Sequence, residues 1–388
     1  MKRTASMMIL FSLFVITGCW DRVELNDRAI MLGWGMDILE DGSYRGVAQF
    51  VVPSTAPKAE GGSSKDQPYF VKTGIGKNIL DAAEDMQRSN SRREFAGHRR
   101  AIFLGKRLAK HGLREVIDEY SRNSDLRLRS DVFIIKNGEA LDMLNRPYPL
   151  EVVPSVAAIK AHEIIGIRPE TTLRDFLIAA SGEESSPTLP LLELINNDHF
   201  GGWKLAGIAI FNEQLKMIGN LPDKEAKLRR WIIGGLKKKT LSVSMPEGKG
   251  NFVVDTVQLK SKIQPVINGK KVQINVMLSG KGVVRENNTN LDLSEPKNLR
   301  LLEETLNKEV EKSTLQMIKK VQKNLGTDIF KFGTTIHRQY PKEWKTLKKN
   351  WSEEFAKIDV SVKVKINVQR VGITGPPTWL PKKEIKKK

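Results

Sequence analysis

Residues 360–368 read VSVKVKINV, with an apolar side chain at every second position. Residues 272–278, VQINVML, repeat the alternation. A period of two predicts β-strands with one buried face and one wet face. Asn268-Gly269, between two strand-like runs, is a strong hairpin signal. The last third of the chain is therefore predicted to contain a sheet of antiparallel type.

A long amphipathic helix is predicted between these strands, capped by Ser294 and ending near Gly326. Its apolar positions recur at steps of three and four: Leu299, Leu302, Leu306, Val310, Thr314, Met317, Val321 and Leu325. About 30 residues at 1.5 Å each give a rod of ~45 Å. A half-wet sheet packed on such a helix is an α+β arrangement. We predict an α+β, multidomain fold of mixed β-sheets packed with α-helices.

The remainder of the chain alternates strand-like and helix-like segments. Arg28 to Leu39 and Tyr44 to Val52 flank the turn signal Asp41-Gly42 and predict a hairpin. Ser181 to Pro190 resembles a linker. Prolines near residue 147 and the glycine pair at 234–235 mark boundaries. The predicted divisions are a signal peptide (1–18), an N-terminal mixed α/β domain (19–147), a small middle domain (148–235) and a C-terminal α+β domain with a basic tail (236–388).

The N-terminus has the order of an export signal. Lys2 and Arg3 precede an apolar run, Met7 to Thr17, that is too short to span a bilayer. The run ends in Ile16-Thr17-Gly18-Cys19, and Cys19 is the only cysteine. This pattern is typical of a bacterial lipobox, in which the cysteine thiol is diacylated and becomes the first residue. An uncleaved anchor or an ordinary secretory signal is the alternative.

The chain is strongly basic. Without residues 1–18 it has 62 Lys and Arg against 45 Asp and Glu, a net charge of +17. An exported chain without a helix-turn-helix, zinc-finger or RNP signature does not favour nucleic-acid binding. An anionic membrane or wall polymer, an acidic partner face and a merely solvated surface remain open. One cluster stands out: Arg88, Arg92, Arg93, Arg99, Arg100, Lys106 and Arg107.

The sequence contains no convincing catalytic or metal-binding pattern. Gly74-Ile75-Gly76-Lys77 lacks the earlier glycine and the following Ser or Thr of a phosphate loop. His162-Glu163 lacks the second histidine of a zinc-protease helix. We predict no catalytic residue, metal or cofactor, and therefore no enzyme. Core or interface packing is the expected role of four tryptophans: Trp20, Trp344, Trp351 and Trp379.

Several motifs, taken in order, resemble one known family. They are Cys19-Trp20-Asp21 with Glu24-Leu25, Gly33-Trp34-Gly35-Met36-Asp37, Asp328-Ile329-Phe330-Lys331-Phe332-Gly333, and His337-Arg338 with Pro341 and Trp344. Their order and spacing are similar to those of the C-subunits of Ger-type spore germination receptors. One departure is Lys331, where family members commonly have glycine, and we therefore expect position 331 to be exposed and to have no need of a positive φ.

The resemblance implies a non-enzymatic lipoprotein that is anchored through diacylglyceryl-Cys19. It would lie on the outer face of the cytoplasmic membrane that becomes the spore inner membrane of a Gram-positive spore former. Its implied partners are the integral membrane A- and B-type subunits of a nutrient germinant receptor, with a role in assembly and signalling. A solute-binding lipoprotein with two matching lobes and a wall-acting hydrolase are the alternatives.

Overall fold

The fold is taken from a computed structural model of the chain. The structure describes residues 24, 27–52, 68–123, 126–164, 171–195, 201–245, 250–269, 271–371, 376–381 and 384–385.

The described residues form two β-sheets and helices that pack on them. The strands are β1 (Arg28–Ile38), β2 (Tyr44–Val51), β3 (Tyr69–Gly76), β4 (Arg93–Phe95), β5 (Ala101–Gly105), β6 (Asp131–Ile135), β7 (Thr188–Leu194), β8 (Trp203–Phe211), β9 (Met217–Pro222), β10 (Lys238–Met245), β11 (Gly250–Asn268), β12 (Lys271–Asn287) and β13 (Asp359–Arg370). The α-helices are α1 (Ile79–Arg88), α2 (Lys106–His111), α3 (Arg114–Arg122), α4 (Ala140–Asn145), α5 (Pro154–Ile164), α6 (Leu173–Ser181), α7 (Asp223–Ile232), α8 (Pro296–Asn324), α9 (Phe332–Gln339), α10 (Pro341–Leu347) and α11 (Trp351–Lys357).

The first sheet has the strand order β3-β2-β1-β5-β6-β7-β8-β9, and β4 pairs with the start of β1. Strands β1, β5, β6 and β7 are mutually parallel, while antiparallel pairs complete both sides. The central strands are buried on both faces, as parallel strands covered by helices require. Ile102 and Leu104 face α1, α2, α3 and α6, whereas Ala101 and Phe103 face α4 and α5.

The second sheet has the order β10-β11-β12-β13. Strands β11 and β12 form a long antiparallel hairpin that turns at Asn268-Gly269, where Gly269 has a φ of +60°. Helix α8 lies between β12 and β13 in the chain, and β13 therefore returns parallel to β12. The predicted stripe of α8 faces this sheet: Leu302, Leu306, Val310, Thr314, Met317 and Val321 are buried, and Leu299 and Leu325 are half-buried.

Helix α8 also covers the free edge of β13. The backbone N–H groups of Val364, Ile366 and Val368 donate to side-chain oxygens of Glu311, Asn307 and Glu303 at 2.8, 2.9 and 2.6 Å, respectively. Four helical residues rise about 6 Å, close to the length of two strand residues, so the two spacings match. An edge strand that would otherwise expose its donors is thereby protected.

The predicted α+β fold class is confirmed, and most predicted elements are present. The long helix begins at Pro296 after its N-cap Glu295, rather than directly after Ser294. Strands β3, β4, β7 and β10 and helices α2, α9 and α11 are not predicted from the sequence. The linker interpretation of residues 181–190 is wrong at its C-terminal end, because β7 begins at Thr188. The predicted loop 54–67 lies outside the described residues.

The three-domain division stays a prediction. The first sheet continues across residue 147, because Ile134 of β6 pairs with Leu191 of β7. It extends as far as β9, so the expected N-terminal and middle domains share one sheet. No helix in the described ranges is both long and apolar enough to cross a membrane.

Candidate functional site at the junction between the two sheets

The turn after α8, residues 326–333, connects the second sheet to the first. We call it the junction turn. Helix α8 ends where Leu325 and Gly326 both donate their N–H groups to the Val321 carbonyl at 3.0 and 3.1 Å. Gly326 has a φ of +59°, the left-handed conformation that commonly terminates a helix. The chain then turns directly into α9.

Asp328 organises the junction turn from inside. Its buried carboxylate accepts hydrogen bonds from the N–H groups of Phe330 and Gly333, both at 2.8 Å. Gly333 lies in the first turn of α9, where backbone donors lack helical partners. Burial raises the pKa of Asp328 to about 6, although the two N–H donors act in the opposite direction. The carboxylate therefore fixes the shape of the turn and the start of the helix.

The junction turn is joined to residues 183–186, which precede β7 of the first sheet. Ser186 donates its N–H to the Asp328 carbonyl at 2.7 Å, and its hydroxyl contacts the Thr327 hydroxyl. His337 of α9 contacts the Glu184 carboxylate. The ion pair between Lys348 and Glu183, at 2.7 Å, extends the contact. Backbone and side-chain bonds together connect the two sheets.

Two positions in the turn depend on backbone geometry. At Gly333 a Cβ would be 2.3 Å from the Glu184 carbonyl oxygen, so a larger residue requires the two segments to separate. Lys331 has a φ of +62° and is half-buried. The expectation of an exposed position 331 without a positive φ is therefore wrong. This chain places a lysine in a conformation that favours glycine.

Aromatic side chains pack beneath the turn. The rings of Phe330 and Phe332 are stacked with centroids 5.4 Å apart, and both lie against Phe355 of α11. Trp344 and Trp351 contact each other edge to face at 5.1 Å. The packing predicted for these two tryptophans is confirmed, since both are buried. Trp379 does not lie in the core, because its side chain is 61% exposed, and interface packing of this residue stays a prediction.

A polar cleft of about 560 Å³ opens beside the junction. Its walls come from the end of α6, residues 182–187, the β8–β9 turn and the segment 348–352. Lys348, Lys349 and Glu183 give it charged walls. No group of three or more His, Cys, Asp or Glu side chains able to hold a metal was found in the described ranges.

The glycine-rich motif at residues 33–37 of the first sheet also contains a buried aspartate that accepts a backbone N–H at the start of a helix. The Asp37 carboxylate accepts the N–H of Ala140, the first residue of α4, at 3.0 Å. Burial raises its pKa to about 6. A Cβ at Gly35 would lie 2.6 Å from the Ala140 Cβ, so glycine allows α4 to approach β1. Each motif therefore contains a buried aspartate that holds the start of a helix.

Comparison with known proteins places both motifs in one family. Residues 21–194 match the family described as spore germination protein N-terminal domain, and residues 206–372 match the family described as spore germination B3/GerAC like, C-terminal. The chain belongs to the GerAC-like family of spore germination proteins. The two matches leave only short segments of the chain outside, so the family resemblance seen in the sequence motifs is confirmed.

Other members of the GerAC-like family match over almost their whole length. Spore germination protein KC of Bacillus subtilis (strain 168) is 26% identical over 97% of this chain and 97% of the relative. Spore germination protein B3 of the same organism is 25% identical over 96% of this chain and 100% of the relative. The crystal structure of the GerBC protein has the same fold, with a TM-score of 0.55 and 19% identity over 87% of this chain and 97% of that one.

Within this GerAC-like chain, two of the motifs that carried the resemblance, residues 33–37 and 328–333, have packing and capping roles. Cys19, the predicted lipidation site, lies outside the described residues, as does Trp20. Gly74 and Gly76 of the rejected phosphate-loop match lie in β3. Sequence reasoning missed residues 183–186 as the partner of the junction turn. Residues 183–186 have no periodic sequence pattern, because they become partners of the junction turn only when the two sheets pack together.

Proposed function

We propose that this chain is the lipid-anchored C-subunit of a spore nutrient germinant receptor. The observation that carries the proposal is the pair of family matches, which begin two residues after Cys19 and extend to residue 372. The lipobox sequence Ile16-Thr17-Gly18-Cys19 supports attachment through a diacylated cysteine. Two acyl chains hold a protein on a bilayer far more firmly than one.

The proposed role is assembly and signalling on the outer face of the spore inner membrane. The partners would be the integral membrane A- and B-type subunits of the receptor. The junction turn supports such a role, because its bonds to residues 183–186 connect the two sheets mechanically. A displacement imposed on one sheet by a partner would therefore reach the other sheet. In this proposal the chain is neither an enzyme nor the primary binder of the nutrient.

A solute-binding lipoprotein remains the second candidate from the sequence. That class would have two matching α/β lobes around a ligand cleft. The described sheets instead have nine and four strands with different orders. This difference favours the receptor subunit.

The anchor is tested by replacing Cys19 with Ala in the spore-forming host. We expect loss of membrane retention and of germination on nutrients, while non-nutrient triggers still act. Ser12→Ala, in the same apolar run, is the matched control and should behave as the parent chain. Retention with normal germination in Cys19→Ala spores would refute the anchored-subunit proposal.

The division of roles is tested by nutrient binding. The full chain with Cys19→Ser is titrated with each nutrient to which the spores respond. We expect no binding in the concentration range of the germination response. Binding in that range would show that this chain is itself a nutrient binder.

A further inference from the structure

The parallel strands of the first sheet give it two chemically different edges. Because β1, β5, β6 and β7 run in the same direction, their first residues lie at one edge and their last residues at the other. We call these the strand-start edge and the strand-end edge. Strand β4 belongs to the strand-start edge, since Arg93 pairs with Arg28 at the beginning of β1.

The strand-start edge collects arginines from distant parts of the sequence. Arg100 immediately precedes β5 and donates its N–H to the Leu32 carbonyl of β1 at 3.0 Å. Arg174 donates its N–H to the Leu128 carbonyl at 2.9 Å. The exposed arginines of the edge are Arg92, Arg93, Arg100, Arg127, Arg129 and Arg174. None of these six makes an ion pair with any residue that the structure describes.

The arginine cluster seen in the sequence is only partly this surface. Arg99 is buried under the sheet edge, and Arg107 follows β5 at the strand-end edge. Conversely, Arg127, Arg129 and Arg174 reach the strand-start edge only through the fold. Among the nearby acids Glu24 and Asp27 are exposed, whereas Glu94, Glu119 and Asp175 are half-buried and Asp131 is buried. The six exposed arginines outnumber the exposed acids. The edge therefore keeps a net positive charge.

At the strand-end edge three basic side chains have acidic partners, whereas Lys106, directly after β5, makes no ion pair with a described residue. Arg45 pairs with Glu139 at 2.5 Å, and Lys136 pairs with Glu193 at 2.9 Å. Arg107 lies 3.7 Å from both Glu40 and Glu139. Bases that already have acidic neighbours attract an anionic surface weakly. The contrast between the two edges assigns most of the unpaired positive charge to the strand-start edge.

The chain also leaves toward Cys19 from the strand-start edge. Arg28 is the ninth residue after Cys19, and this stretch spans at most about 30 Å when fully extended. The beginning of β1 is fixed to β4, because the Arg28 guanidinium lies 4.5 Å from the centre of the Phe95 ring. A lipid on Cys19 would hold this edge, rather than the opposite one, near the bilayer.

We propose that the strand-start edge docks on anionic lipid head groups and orients the protein on the membrane. The proposal rests on the anchored receptor subunit proposed above. Each arginine close to an anionic membrane raises the partitioning of the protein onto that membrane about fivefold. The attraction decays within a Debye length of the surface. An acidic face of a protein would also attract the edge, but the short tether favours the lipid surface.

The test uses the full chain carrying Cys19→Ser, so that no lipid is attached. Binding is measured by co-sedimentation with vesicles of phosphatidylcholine, alone or with about 30 mol% phosphatidylglycerol, at low and high salt. We expect binding that needs the anionic lipid and weakens in high salt. The triple variant Arg92→Glu, Arg93→Glu, Arg100→Glu should bind anionic vesicles at least about tenfold more weakly.

The matched control is Lys342→Glu, Lys363→Glu, Lys365→Glu, which makes the same charge change at exposed positions of α10 and β13. It should bind like the parent. If the first triple variant does not fold, Arg127→Gln, Arg129→Gln, Arg174→Gln tests the same edge. Equal binding to neutral and anionic vesicles overturns the proposal, because the attraction would then not depend on lipid charge. Absence of binding to both also overturns it and points to an acidic protein face. Equal losses in both triple variants also overturn it.

These outcomes do not depend on whether Cys19 is lipidated. Mass spectrometry of Cys19 in the host tests the anchor separately. Failure of docking and failure of anchoring can therefore be distinguished.

Discussion

Gly333 lies so close to Glu184 that a Cβ atom at position 333 would be 2.3 Å from the Glu184 carbonyl oxygen. Gly333 belongs to the junction turn, which follows α8 of the second sheet, and Glu184 belongs to residues 183–186, which precede β7 of the first sheet. Their contact therefore sets the distance between these two segments. The same glycine donates its N–H to Asp328 at 2.8 Å. Gly333 therefore has two roles in the junction turn: it allows the close approach of Glu184, and it donates a hydrogen bond to Asp328.

Gly333→Ala should destabilise the protein because the backbone of residues 183–186 cannot move without losing its bonds to the junction turn. We expect the free energy of unfolding in urea to fall by about 2 kcal/mol or more. Gly235→Ala is the control: its φ is not positive, and its nearest neighbour, at 3.2 Å, is a side-chain atom of Arg230 rather than backbone. Equal, small effects of both substitutions would contradict the close contact at Gly333.

Asp37 and Asp328 should make stability depend on pH. Both folded-state pKa values are raised from 3.8 to about 6, so the folded chain binds more protons than the unfolded chain between pH about 4 and 6. The contribution of each protonated carboxyl to the free energy of unfolding is fully present below about pH 4 and is lost as the pH rises through 6. Its size is on the order of 3 kcal/mol for each group.

Asp328→Asn isolates one of these groups by urea unfolding across that pH range. The amide can accept only one of the two N–H groups, so we expect the variant to be less stable at pH 4, by about 1–3 kcal/mol. Its disadvantage should shrink as the pH rises, because asparagine does not ionise. A difference from the parent chain that is the same at every pH would refute the raised pKa of Asp328.

Lys331 should carry backbone strain. A left-handed conformation costs a non-glycine residue roughly 1–2 kcal/mol. Lys331→Ala keeps that conformation and removes the side chain, whereas Lys331→Gly removes both the strain and the side chain. The glycine variant should therefore be more stable than the alanine variant by about 1 kcal/mol in thermal unfolding. Equal stability of the two variants would show that no strain is present.

Asn307 should protect the edge of β13. Asn307→Ala leaves the Ile366 N–H without its acceptor at the edge of the second sheet. We expect a loss of about 1 kcal/mol and faster amide hydrogen exchange at Ile366. Gln316→Ala, at an exposed position of the same helix, should change neither quantity. Unchanged exchange at Ile366 would mean that the helix does not cover this edge.

Arg99 should be an unfavourable buried charge. Its side chain is 5% exposed, and its Nε and Nη2 atoms have no hydrogen-bond partner in the described part of the chain. The guanidinium lies 4.8 Å from the centre of the Tyr120 ring. Arg99→Met keeps most of the volume and should raise the free energy of unfolding by about 1 kcal/mol. Arg99→Ala leaves a cavity and should lower it by about 2 kcal/mol.

Sequence reasoning was most accurate where one period dominates. The strand 360–368 and the stripe of α8 were predicted from spacing alone, because burial of one face dictates which positions are apolar. It failed at β3, where Gly74 and Gly76 interrupt the pattern. Those glycines are explained by α1, since a Cβ at Gly74 would lie 2.1 Å from the Ala82 carbonyl oxygen. Such a contact leaves no periodic signal.

The sequence by itself determined the amphipathic elements, the lipobox that ends at Cys19, and a family membership read from motifs in order. Only the tertiary structure decided what those motifs do: Asp37 and Asp328 each hold the start of a helix, and Gly333 lets the two sheets approach. It also decided which arginines share a surface. The physical reason is that periodicity records burial of one face of an element, whereas contacts between distant segments depend on how whole sheets pack and on the direction in which their strands run.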